Sequence, residues 1–160
     1  MSKTQVHESW QALIAAADQA GQGAVMQTTP APMLVGTPRN MLASLTGGDD
    51  GGFDEKQPVY FVEGGVCGFA WVSFKATESE GRRFLNWLKG SVKSTRPLSA
   101  VQPSTIGEPS TDSYYGGVSA WVRGFGQSMA RKEAYAQAFA RTVREAGIEG
   151  LTVYSASRMD

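Results

Sequence analysis

The pattern of apolar and polar positions is sharpest from Val59 to Phe74, where VYFVEGGVCGFAWVSF sets two apolar runs on either side of Gly64-Gly65. A two-glycine link between β-rich runs predicts a hairpin, because glycine accepts the positive φ of type I′ and II′ turns. In the second run Val66, Gly68, Ala70, Val72 and Phe74 share one face, and Cys67, Phe69, Trp71 and Ser73 share the other. Neither face is polar, which predicts an inner strand covered on both sides. Gly68 and Ala70 leave room for a closely packed helix on the first face.

Helical spacing appears in three places. Trp10, Leu13, Ile14 and Ala17 predict an amphipathic helix over 5–20, with Gly21 as its stop. Its stripe is short and rich in alanine, so it must dock on its own domain or on a neighbouring chain. Thr77 with Glu80 matches a capping box and opens a helix with Phe84, Leu85 and Leu88 as its buried stripe, ending at Lys89-Gly90. Ser128 caps what reads as the longest helix, to Ala146, with Met129, Ala136, Phe139, Ala140, Val143 and Ala146 facing inward. Arg131, Lys132, Arg141 and Arg144 fall off that stripe.

Alternation returns at Ser113–Phe125, where Val118, Ala120 and Val122 oppose Ser119, Trp121 and Arg123. A last strand is predicted from Leu151 to Ser155. Residues 91–112 read as a Ser/Thr/Pro-rich loop. The fold class is therefore α+β: an N-terminal helix (1–21), an extended Gly/Pro-rich arm (22–58), and a compact β-β-α-β-α-β domain (59–160) with a small mixed or antiparallel sheet and two helices.

The arm has no periodicity, yet it is not simply polar. Met26, Met33, Leu34, Val35, Met41, Leu42, Leu45 and Phe53 are spaced along a Pro- and Gly-rich backbone. Long stretches of this kind are uncommon inside compact domains unless they are functional or disordered. Apolar beads on such a backbone suit an arm laid over another surface, whether a neighbour's or its own domain's. Within it, GGDDGG (47–52) gathers carboxylates but lacks the alternating ligand spacing of a calcium loop, and reads as a solvated turn.

Composition removes several kinds of chemistry. The 160 residues carry a formal net charge of zero, so no global field favours nucleic acid or membrane. One cysteine excludes an internal disulfide and a two-cysteine redox motif. The single histidine, His7, lies in the N-terminal helix, away from the Cys67 strand, so a Cys–His nucleophile is not assembled in one element. Cys67-Gly68-Phe69-Ala70-Trp71 only faintly matches the papain-like CGxCW signature, and Ala70 stands where the nucleophile belongs. No phosphate-binding glycine loop is present. MSKTQVHESW has no apolar signal core, which predicts a soluble protein assembled in a reducing cytoplasm. No enzyme activity, metal or cofactor is expected.

Tyr114 and Tyr115, beside Gly116-Gly117, suit either a stacking or protein-contact platform or strand residues ahead of a bulge. Arg123, Arg131, Lys132, Arg141 and Arg144 offer a basic strip for nucleic acid, the less favoured partner.

The strings GVCGFAWV (65–72), FLNWLK (84–89), YYGGVSAWV (114–122), QSMARKEAYAQAFARTVREAGI (127–148) and SRMD (157–160) together resemble small proteins of tailed bacteriophages that have no assigned activity. The resemblance covers about 59–160 and, loosely, the arm. It implies a phage origin, with the protein in the host cytoplasm or the virion, and brings no catalytic residues with it. The expected function is that of a non-enzymatic phage structural protein, virion-associated as a head decoration, minor capsid or connector component. Its partners would be other phage structural proteins or copies of itself. Met33, Leu34, Val35, Met41 and Leu42 of the arm, with Tyr114 and Tyr115, are the candidate contact residues. The alternatives are a soluble accessory protein that binds host protein or nucleic acid, and a small enzyme.

Overall fold

A computed structural model describes residues 3–90, 105–114 and 116–160 of the chain. In order these form α1 (Lys3–Met26), β1 (Met33–Val35), α2 (Met41–Thr46), β2 (Tyr60–Val62), β3 (Gly68–Ala76), α3 (Ser79–Leu88), β4 (Ser110–Thr111), β5 (Val118–Trp121), α4 (Met129–Glu145) and β6 (Leu151–Met159). The protein is α+β, with antiparallel sheets. Most of the 91–112 loop expectation, from 91 to 104, lies outside the described residues, as does Tyr115.

Four strands form one antiparallel sheet in the order β4-β5-β3-β6. Strand β3 is an inner strand, as its two apolar faces require. It pairs with β5 (Val72 opposite Ala120) and along its whole length with β6 (Phe74 opposite Val153). Ala70, Val72 and Phe74 turn to one face and are fully buried there with Val118, Ala120 and Val153. Helix α4 covers that face with Ala136, Phe139, Ala140 and Val143. Gly68 leaves no room for a Cβ: one would lie 2.5 Å from Arg158 O of β6 and 2.9 Å from Met129 Sδ of α4. Each large apolar side chain buried here contributes about 1.5–3 kcal/mol, set against the entropy of ordering it.

Helix α1 is longer than the sequence suggests and joins this core. Gly21 does not stop it. The helix runs on to Met26, and Gly21 is the point where α1 passes over Tyr135 of α4, with room for no Cβ: one would lie 2.5 Å from the Tyr135 ring. Trp10, Ile14 and Ala17 are buried, and Trp10 meets Phe84 edge-on at 5.5 Å, which ties α1 to α3 as well. At 24 residues α1, and not α4 at 17, is the longest helix.

Three local expectations are corrected. Gly64-Gly65 is not a hairpin turn: β2 pairs with β1, while β3 pairs with β5 and β6. Both runs have strand character, but the partner of the first lies upstream. Thr77 is not a cap. Helix α3 begins behind Glu78 with no side-chain cap, and Thr77 instead donates its amide to Gly150 O at 2.9 Å. Ser128 holds the N-cap position of α4 and bridges to Cys67 just ahead of β3, but its hydroxyl is buried without a hydrogen bond. The C-terminal end of α4 is as expected, with Ala146 as cap followed by Gly147 at φ 67°.

Candidate functional site

The chain leaves the core after α1 and returns to it at β3. Between them residues 33–62 double back as a narrow two-stranded ribbon. Met33, Leu34 and Val35 of β1 lie opposite Val62, Phe61 and Tyr60 of β2. Beyond the ladder the strands stay joined: Asp54 N donates to Thr37 O (2.8 Å), Arg39 N to Gly52 O (2.9 Å) and Asn40 N to Asp50 O (3.1 Å). The Arg39 guanidinium pairs with the Glu55 carboxylate across the two strands, and its Nε donates to Phe53 O at 3.1 Å. Gly36 lets the strands close over Phe53, whose ring would lie 2.8 Å from a Cβ at that position.

Helix α2 sits at the tip of the ribbon and is built locally. Asn40 caps it, its Oδ1 accepting from Ala43 N at 3.1 Å. Gly47 ends it in the left-handed conformation at φ 74°, and Gly48 N returns to Ala43 O at 2.8 Å. The GGDDGG stretch forms the return turn. Asp49 and Asp50 each accept from the backbone amide two residues on, both at 3.0 Å, so their carboxylates serve the turn itself. No group of three or more His, Cys, Asp or Glu suited to a metal is found among the described residues.

What the ribbon does not do is bury its apolar side chains. Leu34 and Phe61, opposite one another, are 57% and 67% exposed. Val35 and Tyr60, on the other face, are exposed too. Met41, Leu42 and Leu45 fall at i, i+1 and i+4 along one side of α2, with Leu42 72% and Leu45 78% exposed, and no residue of α2 is buried. A lone two-stranded ribbon is marginal in water, and contiguous exposed apolar groups mark interaction sites.

Of the candidate contact residues, Leu34, Val35, Met41 and Leu42 are exposed on this excursion, and Met33 is half-buried at its base. Tyr114 is 85% exposed but belongs elsewhere, on the connection between β4 and β5. Sequence reasoning missed Tyr60 and Phe61. The run Val59 to Glu63 reads only as the first strand of a hairpin, with nothing in it to show that Tyr60 and Phe61 stay exposed. The basic strip is not assembled as expected. Lys132 is buried, donating to Gly68 O at 3.0 Å, and the Arg144 guanidinium turns back to Val153 O at 3.2 Å.

His7 packs in an aromatic cluster with Trp10 (5.6 Å) and Trp87 (6.4 Å), whereas Cys67 bridges to Ser128. No contact joins the two. No helix among the described residues is long and apolar enough to cross a membrane. The chain matches no family model, no curated protein and no solved structure.

Proposed function

We propose that this chain is a non-enzymatic assembly protein that binds neighbouring subunits through the 33–62 excursion. The observation that carries this reading is an ordered ribbon and tip helix that keep their apolar side chains in water on both faces. The backbone of the excursion is internally hydrogen-bonded and capped, so it is pre-organised and little ordering entropy opposes its docking. The tip presents Met41, Leu42 and Leu45 as short anchors for an apolar groove, and the ribbon adds Leu34 and Phe61 beside them.

The setting we propose is a tailed-phage particle assembled in the host cytoplasm, with other phage structural proteins or copies of the same chain as partners. The resemblance of GVCGFAWV, YYGGVSAWV and the 127–148 helix to small phage proteins supports that setting. The α+β core would hold the excursion in position.

The test is incorporation. Leu42→Asp with Leu45→Asp changes two side chains that touch little of their own chain. The double variant should stay folded and be lost from particles. Incorporation at the wild-type level would refute the role of the excursion.

A further inference from the structure

The face of the four-stranded sheet away from α4 carries a second, chemically different surface. Antiparallel register places Phe69, Trp71 and Ser73 of β3 on that face, with Trp121 and Ser119 of β5 on one side and Arg158 and Tyr154 of β6 on the other. Trp71 is buried, and Trp121 stacks on it at 4.8 Å and 27° as the outer ring of the pair, 37% exposed. The Arg158 guanidinium lies 6.0 Å from the Trp121 ring and 5.5 Å from Phe69. Ser73 Oγ is buried on this face without a hydrogen-bond partner, between Ser119 and Tyr154. Of these, Trp71, Trp121, Ser119, Tyr154 and Arg158 line a cleft of about 760 Å³.

A second cleft of about 490 Å³ adjoins it, with Thr111 lining both. Lys75, Arg82 and Lys89 line this one with Asn86, and no carboxylate is among its described lining residues. Lys75 links the two, its Nζ lying 5.7 Å from the centre of the Tyr154 ring that lines the aromatic cleft. The carboxylate of the aromatic cleft, on Asp112, accepts from Tyr114 N at 3.0 Å.

We propose that this trough binds single-stranded nucleic acid. A base extends the Trp71–Trp121 stack, and the phosphates beside it lie along Lys75, Arg82 and Lys89. Charge complementarity favours this occupant: one end is aromatic and sequence-tolerant, the other is cationic, and the two are continuous. Single-strand binders combine these same elements. An apolar peptide would leave three cations uncompensated. The site is separate from the 33–62 excursion, so it stands or falls independently of the assembly role.

The experiment is a titration of the full chain with a fluorescein-labelled twelve-residue oligothymidylate, read by anisotropy from about 50 mM salt upward. Saturable binding is expected, with log K falling against log salt at a slope of about −2 for three phosphate contacts. Arg82→Gln with Lys89→Gln, both exposed, should bring the slope to about −0.7. Trp121→Ala should weaken binding about ten-fold or more. Leu42→Asp with Leu45→Asp should change nothing. Absence of saturable binding, thymidine monophosphate binding as tightly as the oligomer, duplex binding as tightly as single strand, or unchanged binding by the Arg82/Lys89 variant would each overturn the proposal.

Discussion

The Tyr135 hydroxyl donates a 2.5 Å hydrogen bond to Asp18 Oδ1, and both residues are buried where α1 crosses α4. This bond pins the long N-terminal helix to the sheet-covering helix at a point the chain could otherwise close only by apolar contact. It also holds the Tyr135 phenol well above the ordinary tyrosine range, first because burial disfavours the phenolate, then because the Asp18 carboxylate accepts a hydrogen bond from the protonated hydroxyl and repels a negative charge.

In the unfolded chain the phenol loses its proton near the usual value of about 10. The folded chain retains it. The stabilisation is therefore complete below about pH 10 and is lost as the pH rises beyond that. Tyr135→Phe should flatten this alkaline loss relative to wild type. At neutral pH the same variant leaves Asp18 buried without this partner and should lower stability by about 1–3 kcal/mol. Urea unfolding at pH 7 and pH 11 measures both effects.

Gly21 sets a second expectation. Alanine in a helix is ordinarily better than glycine by about 1 kcal/mol. Here the added Cβ would meet the Tyr135 ring at 2.5 Å, and that ring is fully buried and held at its hydroxyl. Overpacking of this kind costs about 1–3 kcal/mol and outweighs the propensity gain. Gly21→Ala should lower the thermal midpoint in calorimetry. An unchanged or higher midpoint would mean that α1 does not press on α4 there.

The tip helix should respond to its cap alone. Asn40 supplies the side-chain cap seen in α2, and such caps are worth about 1 kcal/mol. Asn40→Ala should speed hydrogen exchange of the amides from Ala43 to Gly48 while leaving exchange in α4 and β3 untouched. Equal exchange at the tip in both proteins would contradict a locally built helix.

The parts of the fold that were legible in the sequence are those with a repeating period. The Val72/Phe74 alternation, the Ala136–Val143 stripe and the Trp10–Ala17 stripe each place their residues where the core needs them. Gly68 was readable as a close approach because a small residue on an apolar strand face must have a covering element. The errors arise where one local signal has two physical explanations. Gly64-Gly65 suits a hairpin, but strand pairing is settled by which run lies beside it in space. Here Met33–Val35 takes up the hydrogen bonds of Tyr60–Val62. Gly21 suits a helix stop, but a glycine also permits close crossing. The arm's apolar residues were readable as contact candidates from their spacing on a Pro/Gly backbone. Tyr60 and Phe61 were not, since an apolar strand reads alike whether it is covered by its own chain or by another's. The stacked Trp71–Trp121 pair depends on register between strands far apart in sequence, which no single run encodes.

The role proposed for the 33–62 excursion is to dock this protein into an assembly. Quantitative mass spectrometry of purified phage particles tests it most directly, with particles made from the wild-type chain and from the Leu42→Asp/Leu45→Asp variant. The wild-type chain should be present in a fixed number of copies per particle, and the variant should be absent from particles while remaining folded in the lysate. A wild-type chain missing from particles, or a variant incorporated equally well, would contradict the account.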